Sequence, residues 1–162
     1  MTKTFWGFLV IGLIAVGILV SITWESTKGA HLELDGRILH VRTLAVNPQA
    51  TIVVVDFRET NPSDLPFVLK DAQMKLEGVK DEPSGQMISK SDMATVFEYM
   101  KQLGPQYNRV FGTGDRIPPR KTEDLMVAAR FELPESVIDA RSAVHLYFSE
   151  LNRAETDLVE KR

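Results

Sequence analysis

No charged residue occurs between Lys3 and Glu25, and from Phe5 to Ile22 the one clearly polar side chain is Ser21. A helix over that run is roughly 27 Å long, close to the ~30 Å hydrocarbon core of a bilayer. Trp6 and Trp24 sit at its two ends, where amphipathic aromatic rings prefer the headgroup region. The run exceeds the apolar core of a secretory signal, about 7–15 residues. A cleavage site also wants small residues at −3 and −1: cutting after Ala30 would place Lys28 at −3, and Ser21-Ile22-Thr23 is only a weak match. Residues 1–24 therefore read as a retained single transmembrane helix, in contact with the lipid bilayer through residues 5–22. Gly7, Gly12 and Gly17 recur every five residues and point in different directions around a helix, so they make no close-packing face. Lys3 precedes the run and Glu25 follows it. The positive-inside tendency then puts the N-terminus in the cytoplasm and the remaining chain in the periplasm or outside the cell.

That remainder is of ordinary single-domain size. It holds all 22 acidic residues and all but one of the 19 lysines and arginines, 18 cations against 22 anions, a formal −4. A mildly acidic domain without a basic cluster does not suit nucleic acid. There is no cysteine, which excludes disulfides, thiolate chemistry and a lipid-modified cysteine anchor.

Glu25 to Ala30 reads as a polar linker, and a domain follows over residues 31–152. Its dominant signal is a two-residue period. His31 to Asp35 alternates until Gly36 interrupts. Arg37 to Val46 is rich in aliphatic and β-branched residues and ends at Asn47-Pro48. Thr51 to Glu59 is apolar on both faces at Ile52-Val53-Val54-Val55, the pattern of a central strand covered on two sides. Pro66 to Glu77 alternates with Val68, Ala72, Met74 and Leu76 on one face. Gly78 to Lys90 is a turn-rich connection. The period then becomes helical through Met93, Val96, Phe97, Met100 and Leu103, with Ser91 or Asp92 as cap and Gly104-Pro105 as stop. A short strand is expected at Arg109–Phe111. Glu123 to Leu133 alternates again, Pro134 opens one helical turn, and Ala143 to Leu151 is the last strand expected. The charged tail 153–162 is expected to fray. About seven short strands between turn signals predict a mainly β protein, an antiparallel β-sandwich with one inserted amphipathic helix.

The run from Ile52 through Asp56, Phe57 and Arg58 to Asn61-Pro62 resembles the strand and Asn-Pro signature of the late embryogenesis abundant type-2 family, which includes the water-stress and hypersensitive-response (WHy) domain. Ile117-Pro118-Pro119 and the alternating run from Glu123 to Leu133 resemble that family's second half. By pattern the resemblance covers Leu34 to Leu151. The chain departs from it at Ser91–Leu103, where a helix stands in place of a simple hairpin. The resemblance implies an immunoglobulin-like or fibronectin-III-like sandwich without a catalytic centre, a stress-protective or small-ligand-binding module, in a group whose members often carry an N-terminal membrane segment.

Side chains that might carry chemistry are scattered. His31, Glu33 and Asp35 share one strand face but spread ~7 Å apart, too far to converge on a metal. His40 and His145 stand alone on their strands. Gly112-Thr113-Gly114-Asp115 lacks the third glycine and the following helix of a nucleotide loop, so it reads as a turn. Asp56 and Arg58 share a face of the central strand, as an inward polar pair or on the solvent side. No catalytic, cofactor or metal residue is assigned. Tyr99, Tyr107 and Phe111, on or near the inserted helix, are the candidate partner contacts, because aromatics are enriched at binding hot spots. The expectation is a non-enzymatic membrane protein that binds other membrane or extracytoplasmic proteins, as an accessory subunit of a membrane complex.

Overall fold

The computed structural model describes residues 12–23, 33–151 and 155–161. They fall in two compact units, Met1–Ala30 and His31–Arg162. Trp6, Trp24, the linker 25–30 and His31 lie outside the described residues.

In the first unit residues 12–23 form a helix, α1, with every side chain exposed. Leu13, Ile14, Val16, Ile18, Leu19, Val20 and Ile22 are each more than half exposed. The two hydroxyls of this apolar helix bond back to its own carbonyls: Ser21 Oγ donates to Gly17 O at 2.9 Å and Thr23 Oγ1 to Leu19 O at 3.0 Å. Among the described residues no helix is long and apolar enough to cross a membrane.

The second unit is a β-sandwich. One sheet runs in the order β1 (Asp35–Asn47), β2 (Ala50–Thr60), β7 (Thr122–Phe131), β4 (Gln86–Met87). The short β5 (Arg109–Val110) lies parallel to β7. The other sheet is β6 (Arg116–Ile117), β3 (Phe67–Glu77), β8 (Ala143–Glu150), β9 (Glu155–Lys161), all antiparallel. Between the sheets Phe57 of β2, Phe148 of β8 and Phe111 meet, with ring centroids 5.0 to 6.3 Å apart. Val53, Val55, Leu125, Val127, Met74 and Leu146 surround them.

The doubly apolar centre of β2 has the expected cause. Val53, Val55 and Phe57 face the opposite sheet. Ile52 and Val54 face outward and are covered by a second cluster, Met93, Phe97, Leu103 and Val110, supplied by the inserted helix and its flanks. That helix, α2 (Lys90–Tyr99), starts earlier than expected, because the Ser89 hydroxyl caps it by accepting from Asp92 N at 3.2 Å. It also ends earlier: Met100 leaves helical geometry, and a 3-10 turn at Lys101–Leu103 carries Leu103 into the cluster before Gly104, at φ 77°, reverses the chain.

Four other expectations are corrected. Gly36 does not break β1, which runs from Asp35 to Asn47. A side chain at Gly36 would sit 2.5 Å from Arg58 O, so the glycine serves close approach to β2. Val68 does not share the inward face of Ala72, Met74 and Leu76. A register shift between Leu69 and Asp71 moves the phase, and Phe67 and Leu69 point inward before it. Within the tail, residues 155–161 do not fray but form β9, paired with β8 from Ala143↔Lys161 to Ser149↔Glu155, while 153, 154 and 162 lie outside the described residues. Thr156 and Leu158 are the buried residues of that charged strand, and the domain extends past residue 152. Finally, β8 is therefore not the last strand.

Candidate partner-binding face

The insertion between β4 and β7 crosses the outer face of the first sheet, and one buried acid fixes it there. Asp56 is fully buried on that face. It accepts from Arg42 Nη2 of β1 at 2.8 Å and from Asn108 Nδ2 of the insertion at 2.8 Å. Arg42 Nη1 donates to Leu103 O at 2.7 Å and Pro105 O at 2.9 Å. Its guanidinium lies 4.9 Å from the Tyr107 ring and 5.6 Å from the Phe97 ring. Asp56 is thus neither an inward group nor a solvated one. It sits on the outer face but beneath the insertion. Arg58, two residues on, reaches solvent and holds Asp124 through two bonds of 2.6 and 2.7 Å. That pair holds the Asp124 carboxyl below its ordinary range.

The three aromatic candidates part company. Tyr99 is 77% exposed and Tyr107 62% exposed. Phe111 is buried in the inter-sheet core against Phe57 and Phe148 and is withdrawn as a contact. Its position directly after β5 turns it inward, and its N–H donates to Met126 O at 2.8 Å. Grooves flank the insertion. One of about 410 Å³ runs along β1 past Leu39, His40, Arg42 and Tyr107. Another of about 500 Å³ lies beside Phe97, Lys101 and Pro105.

Of the remaining sequence candidates, His40 is an exposed residue lining the β1 groove. Gly112–Asp115 forms a turn in which Gly112 N donates to Asp115 Oδ2 at 3.0 Å. Lys90 Nζ bonds the same carboxylate at 2.9 Å. Burial of Asp115 alone would raise its pKa, and the Gly112 and Lys90 bonds outweigh it, so the net direction is down. Among the described residues no group of three potential ligands could hold a metal.

Two features escaped the sequence reading. His145 lies between Glu77 of β3, 3.0 Å from Nε2, and Asp157 of β9, 3.2 Å from Nδ1. Recognising it required β9 to exist as a strand. Glu59 is fully buried, and neither carboxylate oxygen has a hydrogen-bond partner. Burial pushes its carboxyl up to about 8. The alternation of β2 already placed it on the face of Val55 and Phe57.

The stretches around Asn61-Pro62 and Ile117-Pro118 also meet. Asn61 Nδ2 donates to Leu65 O at 2.8 Å and to Ile117 O at 3.0 Å, while its Oδ1 accepts from Ser63 N. This buried amide ties the end of β2 to the turn before β7.

The chain matches no family model and no curated protein. Among solved structures it is similar to an uncharacterized beta-sandwich protein from Clostridium difficile 630, with 11% identity, a TM-score of 0.43, and coverage of 80% of this chain and 86% of that one.

Proposed function

We propose that the protein is a non-enzymatic, single-span membrane protein whose extracytoplasmic sandwich binds another protein through the face carrying Tyr99 and Tyr107. The observation that carries this reading is their combination of exposure and fixed support. Two tyrosines project from an insertion clamped by the Asp56–Arg42–Asn108 network. A rigid aromatic loses little entropy on binding and presents a large amphipathic surface, the properties of a hot-spot residue. The companion is a membrane or extracytoplasmic protein, and the chain serves it as an accessory subunit.

The membrane reading rests on the apolar sequence from Phe5 to Ile22 and on the exposed apolar side chains of α1. The twelve described residues of α1 cover about 18 Å, so the span depends on the apolar run continuing toward Phe5. The immunoglobulin-like reading is supported by strand order. β1-β2-β7-β4 opposite β3-β8-β9 follows the ABED and CFG sheets of a seven-stranded immunoglobulin sandwich. The kinship to the late embryogenesis abundant type-2 group remains part of the proposal on the same residues as before.

The test is purification of the tagged full chain from its own membranes in mild detergent, beside the Tyr99→Ala/Tyr107→Ala variant. A stoichiometric companion that the variant loses, at unchanged thermal stability, supports the reading. A lone monomer, or a companion retained by the variant, overturns the assignment of this face. A lone monomer points instead to a stress-protective or small-ligand module.

A further inference from the structure

β9 pairs with β8 at the edge of the second sheet, and a row of side chains there crosses three strands. Glu77 of β3, His145 of β8 and Asp157 of β9 lie side by side on its outer face. Both ring nitrogens of His145 face carboxylate oxygens, at 3.0 and 3.2 Å, an arrangement that only the doubly protonated imidazolium satisfies with two donors. Tyr147 stacks on the ring with centroids 5.8 Å apart, and Lys75 Nζ lies 5.2 Å from the Tyr147 ring. Glu82, from the loop after β3, borders the same surface. The charged groups on the face of His145 are therefore Glu77, Glu82 and Lys75 from β3 and its loop, and Asp157 and Lys161 from β9. Acids outnumber cations around the ring. If the imidazolium loses its proton, the cation between the Glu77 and Asp157 side chains is gone. β9 also secures the start of the domain, because Thr156 Oγ1 accepts from Leu34 N at 2.9 Å.

We propose that the Glu77–His145–Asp157 row is a proton-operated clasp: it holds β9, and through Thr156 the entry to β1, in place while His145 is charged and loosens both when the ring is neutral. The proposal does not depend on the partner-binding reading. Burial of the ring by itself lowers its pKa, and the hydrogen bonds and charges of Glu77 and Asp157 outweigh that, so the net direction is up. A folded-state value above the ordinary 6.5 means that the clasp contributes fully below about pH 6.5. Its contribution is lost as pH rises through the folded-state value.

The experiment is amide hydrogen exchange by NMR on the full chain in phosphatidylcholine nanodiscs, at pH 5.5 and 8.5, with protection factors corrected for intrinsic exchange. Glu59→Gln serves as the common background, because Glu59 also titrates in this range. β9 amides are expected to lose at least tenfold in protection at pH 8.5 while the Val53–Val55 amides hold. In the added His145→Gln variant, β9 should be loose at both pH values. Equal β9 protection at both pH values in the background chain overturns the proposal, and so does the same pH-dependent loss in the His145→Gln chain. The His145 ring is titrated in the same samples, which keeps the test decisive if His145→Gln folds poorly: a ring pKa at or below 6.5 overturns the clasp.

Discussion

Asp56 and Glu59 are acids three residues apart on one strand, both fully buried, and their environments are opposite. Asp56 accepts from a guanidinium and an amide. Removing one member of a buried pair strands the other, so Asp56→Ala should cost about 3 kcal/mol, read from urea unfolding. The same variant should free the insertion, seen as faster exchange at Asn108 and the residues around it. Glu59 has no partner for either oxygen, and its carboxyl stands at about 8 against an ordinary 4.5. Between those values the unfolded chain has released a proton that the folded chain keeps, so stability falls as pH rises and levels off above about 8. At about 1.4 kcal/mol per unit the full loss is on the order of 5 kcal/mol. Opposite it on β7 stands Glu123, so ionisation of Glu59 would also set two like charges across a strand pair. Glu59→Gln removes the titration. Urea unfolding at pH 5.5 and 8.5 should show a marked fall for the native sequence and a much smaller one for the variant, in which only the contribution of the His145 row is left to titrate. An equal fall in both would mean that Glu59 is ionised in the folded state at neutral pH.

At the scale of elements, legibility followed hydrophobic contrast. Ile52 to Val55 announced a strand covered on both sides, and α2 and its flanks provide the outer cover. β9 was invisible because its signal is faint: Glu155–Lys161 offers one buried apolar side chain, Leu158, beside a buried Thr156 and several charges. Only pairing with β8 makes that run a strand. The inward direction of Phe111 is hidden in the sequence for a related reason. An aromatic in an irregular segment has no period to reveal its direction, and β5 is too short to supply one. The clamp at Asp56 was half legible, since the sequence put a polar group on the central strand but not Arg42 and Asn108 beside it. Leu158 tests the contribution of β9. It is 5% exposed and belongs to the inter-sheet core. Leu158→Ala should therefore cost about 2–3 kcal/mol in urea unfolding. A loss under about 0.5 kcal/mol, the range of an exposed position, would show that β9 contributes little to the folded domain.

At the scale of the whole molecule the two units differ in whether their apolar side chains are covered. α1 buries none of its apolar side chains. The sandwich buries its own between the sheets and beneath the insertion. Exposed contiguous apolar surface drives association in water and is neutral in lipid. It follows that the sandwich should not need residues 1–30 to fold, since its core draws on residues from Leu34 to Leu158. A chain starting at residue 31 should remain monomeric in aqueous buffer and unfold in urea with the midpoint and slope of the full chain held in detergent. The comparison separates two kinds of failure. A lower midpoint at unchanged slope would mean that the first unit stabilises the sandwich through contacts of its own. A reduced slope would mean that the truncated domain buries less surface and is only partly folded. Matching transitions, with aggregation confined to the full chain once detergent is removed, would assign the association tendency to α1 and its apolar neighbours alone.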